Sequence, residues 1–136
     1  MKNKSKLQKI QKGRTKTSKV PAEWLYLVPE VLELRKVYEI FTGGMPWTAE
    51  YWEEAGVLEI AVPEAGSVDL EELTEPDEYL EAYMAEHQLK TVFAVTLVPE
   101  NYEKVRKVME KIMDCTGGTF CGDTDDFTPR LEMRKK

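Results

Sequence analysis

Cysteine and histidine are almost missing from this chain: two and one in 136 residues. Cys115 and Cys121 are too few for a disulfide scaffold and lack the four-ligand pattern of structural zinc. Cys115 follows Val108 by seven residues and Ile112 by three, so it is expected to face a core, and both thiols to be ordinary and reduced. A redox pair across the Gly117-Gly118 turn is the sharper alternative. A catalytic thiol is weaker still, because His87 lies at the far end of a different predicted helix.

Long apolar runs are missing too. No stretch of about 18 apolar residues exists, so no transmembrane helix is expected. The charged N-terminus is not followed by the apolar core of a signal peptide, and a cytoplasmic location is the default expectation. Internal repeats are lacking, as are the P-loop, GxGxxG, HExxH and GxSxG patterns. These absences remove the enzymatic readings that rest on a short motif.

Acidic residues are missing from one place only. Residues 1–19 carry Lys2, Lys4, Lys6, Lys9, Lys12, Arg14, Lys16 and Lys19 and no acid, a charge of +8. Residues 20–136 carry all 25 acids against 11 bases, a charge of −14, and the whole chain stands at −6. Segment 1–19 is too polar to bury enough surface to offset its ordering entropy, so a flexible basic arm is expected. Such an arm could grip nucleic-acid phosphates or an acidic protein surface. The rest has the length of one domain with a single core.

Local signals agree best between 89 and 129. Thr91 to Val98 is apolar on both alternating faces, as in a strand covered on both sides, and Pro99 ends it. Tyr102, Val105, Val108, Met109, Ile112 and Met113 form one helical stripe, with Asn101 as N-cap and Gly117-Gly118 as the stop. Phe93, Val95, Val105, Val108 and Ile112 are expected to be buried together. A strand over 118–123 and an acidic loop follow.

Further upstream the signals are weaker. Val57 to Val62 alternates like a strand, and Glu75-Pro76 opens a helix lined by Tyr79, Leu80, Tyr83 and Met84. Lys36–Phe41 leans to strand, although Val31, Leu34, Tyr38 and Phe41 fit a helix equally well. Thr48 suits the N-cap of a short helix over 47–55, and 64–74 suits a loop with one helical turn. Pro21 to Pro29 suits a short extended segment or an edge strand. The resulting order is β-α-β-α-β-α-β. The expected fold class is α+β: a four-stranded sheet with helices mainly on one face, possible as a ferredoxin-like pairing of halves 36–62 and 90–123.

Candidate sites follow from residue chemistry. Trp24, Tyr26, Trp47 and Trp52 are aromatic anchors available to a partner, with core packing as the plainer role. Asp123, Asp125 and Asp126 could gather oxygen ligands around Mg²⁺ or Ca²⁺, although their spacing is not that of an EF-hand and Asp-rich turns need no ion. The leading functional expectation is a small acidic, non-enzymatic binding or regulatory protein, of the inhibitor or immunity kind, engaging a protein partner. The alternative is a metal-dependent enzyme acting on a phosphorylated substrate through the Asp123/Asp125/Asp126 loop.

The arm is testable by itself. If it engages about 5 phosphates, log K against log salt should slope roughly −4 to −5 on duplex DNA. Deleting 1–19 should abolish that binding and leave the melting temperature of 20–136 nearly unchanged. Absence of binding by the full chain at low salt would exclude a nucleic-acid tether.

Overall fold

The computed structural model describes residues 20–43 and 45–132; the arm 1–19 lies outside them. Among the described residues, seven strands form one antiparallel sheet with three α-helices packed on it. In chain order these are β1 (Glu23–Val28), α1 (Leu34–Phe41), β2 (Thr48–Trp52), β3 (Val57–Ala61), β4 (Ser67–Glu72), α2 (Glu78–Glu86), β5 (Thr91–Thr96), α3 (Tyr102–Thr116), β6 (Thr119–Gly122) and β7 (Arg130–Glu132). A single 3-10 turn, Pro99–Asn101, precedes α3. The strands lie side by side as β2-β3-β4-β5-β1-β6-β7.

The expectation of four strands with helices mainly on one face is thereby overturned. The two faces of the sheet carry different layers. Trp24, Tyr26, Leu58, Ile60, Leu70, Phe93, Val95 and Phe120 pack under α1 and α3, which contribute Leu34, Val37, Phe41, Val105, Val108, Met109 and Ile112. On the opposite face, Leu25, Leu27, Val92 and Cys121 pack against Leu80 of α2 and Phe127 of the following loop. Phe93, Val95, Val105, Val108 and Ile112 do share one core, each 1% exposed or less.

Three local assignments change, each for a physical reason. Residues 34–41 are helical, not extended, because a helix buries Leu34, Val37 and Phe41 while Arg35, Lys36 and Glu39 stay in solvent. A strand would have put Lys36 on the same face as Leu34 and Tyr38. Segment 48–52 is a strand, not a helix, because a hairpin with β3 supplies its ladder and turns Ala49 and Tyr51 toward the core. Segment 67–72, expected as a loop, alternates Val68 and Leu70 inward against Ser67, Asp69 and Glu71 outward and pairs on both sides.

β1 was expected at an edge, and it is instead central, paired with β5 and β6. Trp24 and Tyr26 are therefore core residues, 1% and 0% exposed, and not surface anchors for a partner. The Trp24 ring stacks between Tyr102 and Phe120, at centroid distances of 5.2 and 4.5 Å, and its indole N–H donates to the Pro21 carbonyl at 2.7 Å. Tyr26 stacks on Phe93, and its hydroxyl donates to the Gly117 carbonyl and meets the Thr116 hydroxyl. Burial pushes the Tyr26 pKa up to about 12. Gly118 makes this contact possible: it sits at φ +100°, and a Cβ there would lie 2.6 Å from the Leu27 carbonyl oxygen and 2.8 Å from the Tyr26 ring.

Cys115 is exposed and Cys121 buried. The inner stripe of α3 drifts by the end of the helix, so Thr116 takes the inward place expected for Cys115 and bonds Tyr26.

Tyr26→Phe tests the junction of β1 with α3. It keeps the ring but leaves the half-buried Gly117 carbonyl without its donor, a loss of roughly 0.5–1.5 kcal/mol. Urea denaturation should show a lower midpoint with an unchanged slope.

Candidate functional site

The acidic loop after β6 folds on itself. The Thr128 hydroxyl donates to Asp126 Oδ1 at 2.7 Å, and the Thr128 N–H donates to the Thr124 hydroxyl at 3.0 Å. Hydrogen bonds from Thr128 and then Thr124 hold the Asp126 carboxyl below the usual aspartate range. The Asp125 carbonyl accepts from the Tyr79 hydroxyl. Phe127, 5% exposed, sits between the rings of Tyr79 and Tyr83 at 5.6 and 4.2 Å. Gly122 lets the loop close: a Cβ there would lie 2.6 Å from the Thr128 carbonyl oxygen.

These contacts fasten α2 and the loop over β1, β5 and β6. They occupy Asp126 within the turn. Among the described residues, no three Asp, Glu, His or Cys side chains come together in a way that could hold a metal ion. Asp123, Asp125 and Asp126, the candidate Mg²⁺ or Ca²⁺ ligands, are thus not brought together as one ligand set. Asp123 instead faces Glu23 and Asp77. Partial desolvation, and then the charges of those two residues, raise its pKa.

Beyond the reach of α2, no described helix covers the same sheet face. It is lined by Thr48, Glu50 and Trp52 of β2, Val57, Glu59 and Ala61 of β3, and Ser67, Asp69 and Glu71 of β4. Their partners are in register: Glu50 with Glu59, Glu59 with Asp69, Asp69 with Thr96, and Thr96 with Glu23. The Asp123 N–H donates to the Glu23 carbonyl at 3.0 Å, extending the line to the next strand. One row across the sheet thus reads Glu50, Glu59, Asp69, Thr96, Glu23, Asp123.

The ladder pattern makes one contact in this row especially close. The Glu72 N–H donates to the Gly56 carbonyl at 2.9 Å, and the Val62 N–H to the Gly66 carbonyl at 2.8 Å. Even-numbered residues of β3 therefore bond β4, and Glu59 opposite Asp69 is a non-bonded pair, with Cα atoms about 4.5 Å apart and side chains at their nearest. Asp69 accordingly has a raised pKa, by desolvation first and then by the Glu59 charge. Like charges directly opposite are unfavourable in a sheet.

Among the described residues, no salt bridge reaches this row. The ion pairs of Arg35, Lys36, Lys104 and Arg106 lie instead on α1 or α3, on the opposite face. The 53 residues from 37 to 89 contain 14 acids and neither lysine nor arginine. That gap is legible in the chain but gains its meaning only from the register. Trp52, 50% exposed, stands at the corner of this face, whereas Trp47 is half-buried against the core.

Elsewhere, an open groove of about 800 Å³ at the far end of β1 is lined in part by Leu32, His87, Cys115 and Arg130. The fold thus brings His87 and Cys115, distant in sequence, to one depression. No helix among the described residues is long and apolar enough to cross a membrane. No family model, no curated protein and no solved structure matches the chain.

Asp69→Asn should stabilise the fold at neutral pH by roughly 0.2–1 kcal/mol, by removing one of two opposed charges. The sign with pH follows from the raised folded-state pKa. The penalty is fully present above that pKa and is relieved as pH falls through it toward the unfolded value. Denaturation at neutral pH and again near about pH 4 should show the gain shrinking.

Proposed function

We propose that the chain is a small non-enzymatic binding or regulatory protein, of the inhibitor or immunity kind, whose open acidic sheet face engages a basic surface on a protein partner. The single observation behind this reading is the in-register row of carboxylates, kept at a cost to stability on a part of the sheet that no described helix covers. A fold gains nothing by opposing Glu59 and Asp69, whereas a basic partner does. Its cations would be drawn by the field of the row and would relieve the repulsion on docking. Trp52 adds a large apolar ring beside the charges, a common composition for an interface hot spot.

The experiment is a paired capture from lysate of the source cells, with the wild-type chain and Glu59→Lys/Asp69→Lys as baits. Both baits are first shown to be folded. The expected result is a basic protein retained by the wild type, lost with the double variant and released by moderate salt. Identical capture by both baits, or release that is insensitive to salt, would overturn the acidic face as the docking surface.

A further inference from the structure

β2 is the outermost strand on the acidic side of the sheet, and no described residue pairs with its outer edge. The ladder bonds fix which backbone groups that edge offers. Since even-numbered residues of β3 bond β4, Val57, Glu59 and Ala61 turn their N–H and C=O groups to β2. Their partners Trp52, Glu50 and Thr48 return those bonds. Ala49 and Tyr51 are left with N–H and C=O aimed outward. On the open face next to this edge, a shallow depression of about 380 Å³ is lined by Thr48, Ala49, Glu50, Glu59 and Ala61.

We infer that the partner of the acidic face enters as an extended basic segment that adds an eighth strand along β2. This inference rests on the docking reading above and specifies its geometry. The two outward residues supply two donors and two acceptors, the main-chain basis of strand addition. Side-chain alternation then sets the sequence of the segment. In an antiparallel arrangement, residues opposite Ala49 and Tyr51 lie on the helix side of the sheet, beside the half-buried Tyr51–Tyr38 stack, and are best apolar. The residue between them, opposite Glu50, points onto the open face, where lysine or arginine reaches Glu50 and Glu59.

Charge complementarity selects this occupant over a second copy of the chain. Two β2 strands related by a two-fold axis, in the register that uses both outward residues, would set Glu50 directly against Glu50. The charge that favours a foreign basic strand therefore opposes self-pairing at the same edge.

The test uses the full chain and a synthetic peptide of alternating valine and lysine, read by residue-resolved amide hydrogen exchange. At a peptide concentration about ten times its Kd, exchange at Ala49 and Tyr51 should slow roughly tenfold, because only the free edge exchanges. Thr48, Glu50 and Trp52, already bonded to β3, should change little. Ala49→Pro removes an outward donor while sparing the β2–β3 ladder, and should weaken binding without lowering the melting temperature much. Peptide binding that leaves both amides unprotected would overturn strand addition, as would failure of the peptide to bind; the paired capture would still decide the acidic face. Protection that grows with protein concentration and needs no peptide would overturn it in favour of self-association.

Discussion

Burial of β1 on both faces is the constraint on which the other elements depend. Its five residues from Trp24 to Val28 are at most 2% exposed. Alternation sends Trp24, Tyr26 and Val28 to one layer and Leu25 and Leu27 to the other, so a single strand contributes to both cores. Each such side chain gains about 1.5–3 kcal/mol on full burial. Removing either covering layer would return part of this strand to water. That requirement explains why α1 and α3 pack on one side, and why α2 needs Phe127, Tyr79 and Tyr83 to anchor it on the other.

Coverage nevertheless stops halfway across the second face. α2 is nine residues long and is tethered at the β1–β6 side by the 123–129 loop. Strands β2 to β4 extend the sheet past that shelter, and they can do so because the other face of β3 and β4 is fully packed: Leu58, Ile60, Val68 and Leu70 are all 0% exposed. Stability on one side of three strands leaves the composition of the other side free. The chain fills that freedom with acids and omits every lysine and arginine. Antiparallel sheets commonly have one solvated face and one packed face; here the solvated face is confined to half the sheet.

Much of the fold was legible wherever local and tertiary demands coincide. The α3 stripe, its glycine stop and the double-faced apolar run of β5 were readable because each signal sits within one element. The failures share a cause. Lys36 and Tyr38 could not arbitrate between helix and strand until burial was known, and Thr48–Trp52 matched a helical aromatic stripe as well as it matched a hairpin arm. Ser67–Glu72 looked like a loop because two alternating apolar residues among acids are a faint strand signal. Bracketing by Pro21 and Pro29 disguised β1 as an edge. The acidic row was invisible for the same reason. Glu50, Glu59 and Asp69 are separated by 9 and 10 residues, and only strand register makes them neighbours. Attention fell instead on Asp123, Asp125 and Asp126, which are adjacent in sequence and serve a turn.

The place of β1 in the sheet also sets a schedule for synthesis on the ribosome. β2, β3 and β4 are consecutive neighbours joined by short turns and can pair as soon as they emerge. β1 emerges before them, yet its two partners begin only at Thr91 and Thr119. A nascent chain therefore carries a wholly apolar strand, Trp-Leu-Tyr-Leu-Val, without a mate until β5 has been made at Thr91–Thr96, and without its second mate until Thr119–Gly122. At an elongation rate of about 5–20 residues per second, that exposure lasts for several seconds. The segment that ends as the most protected strand of the protein is, during its birth, the one most in need of a chaperone.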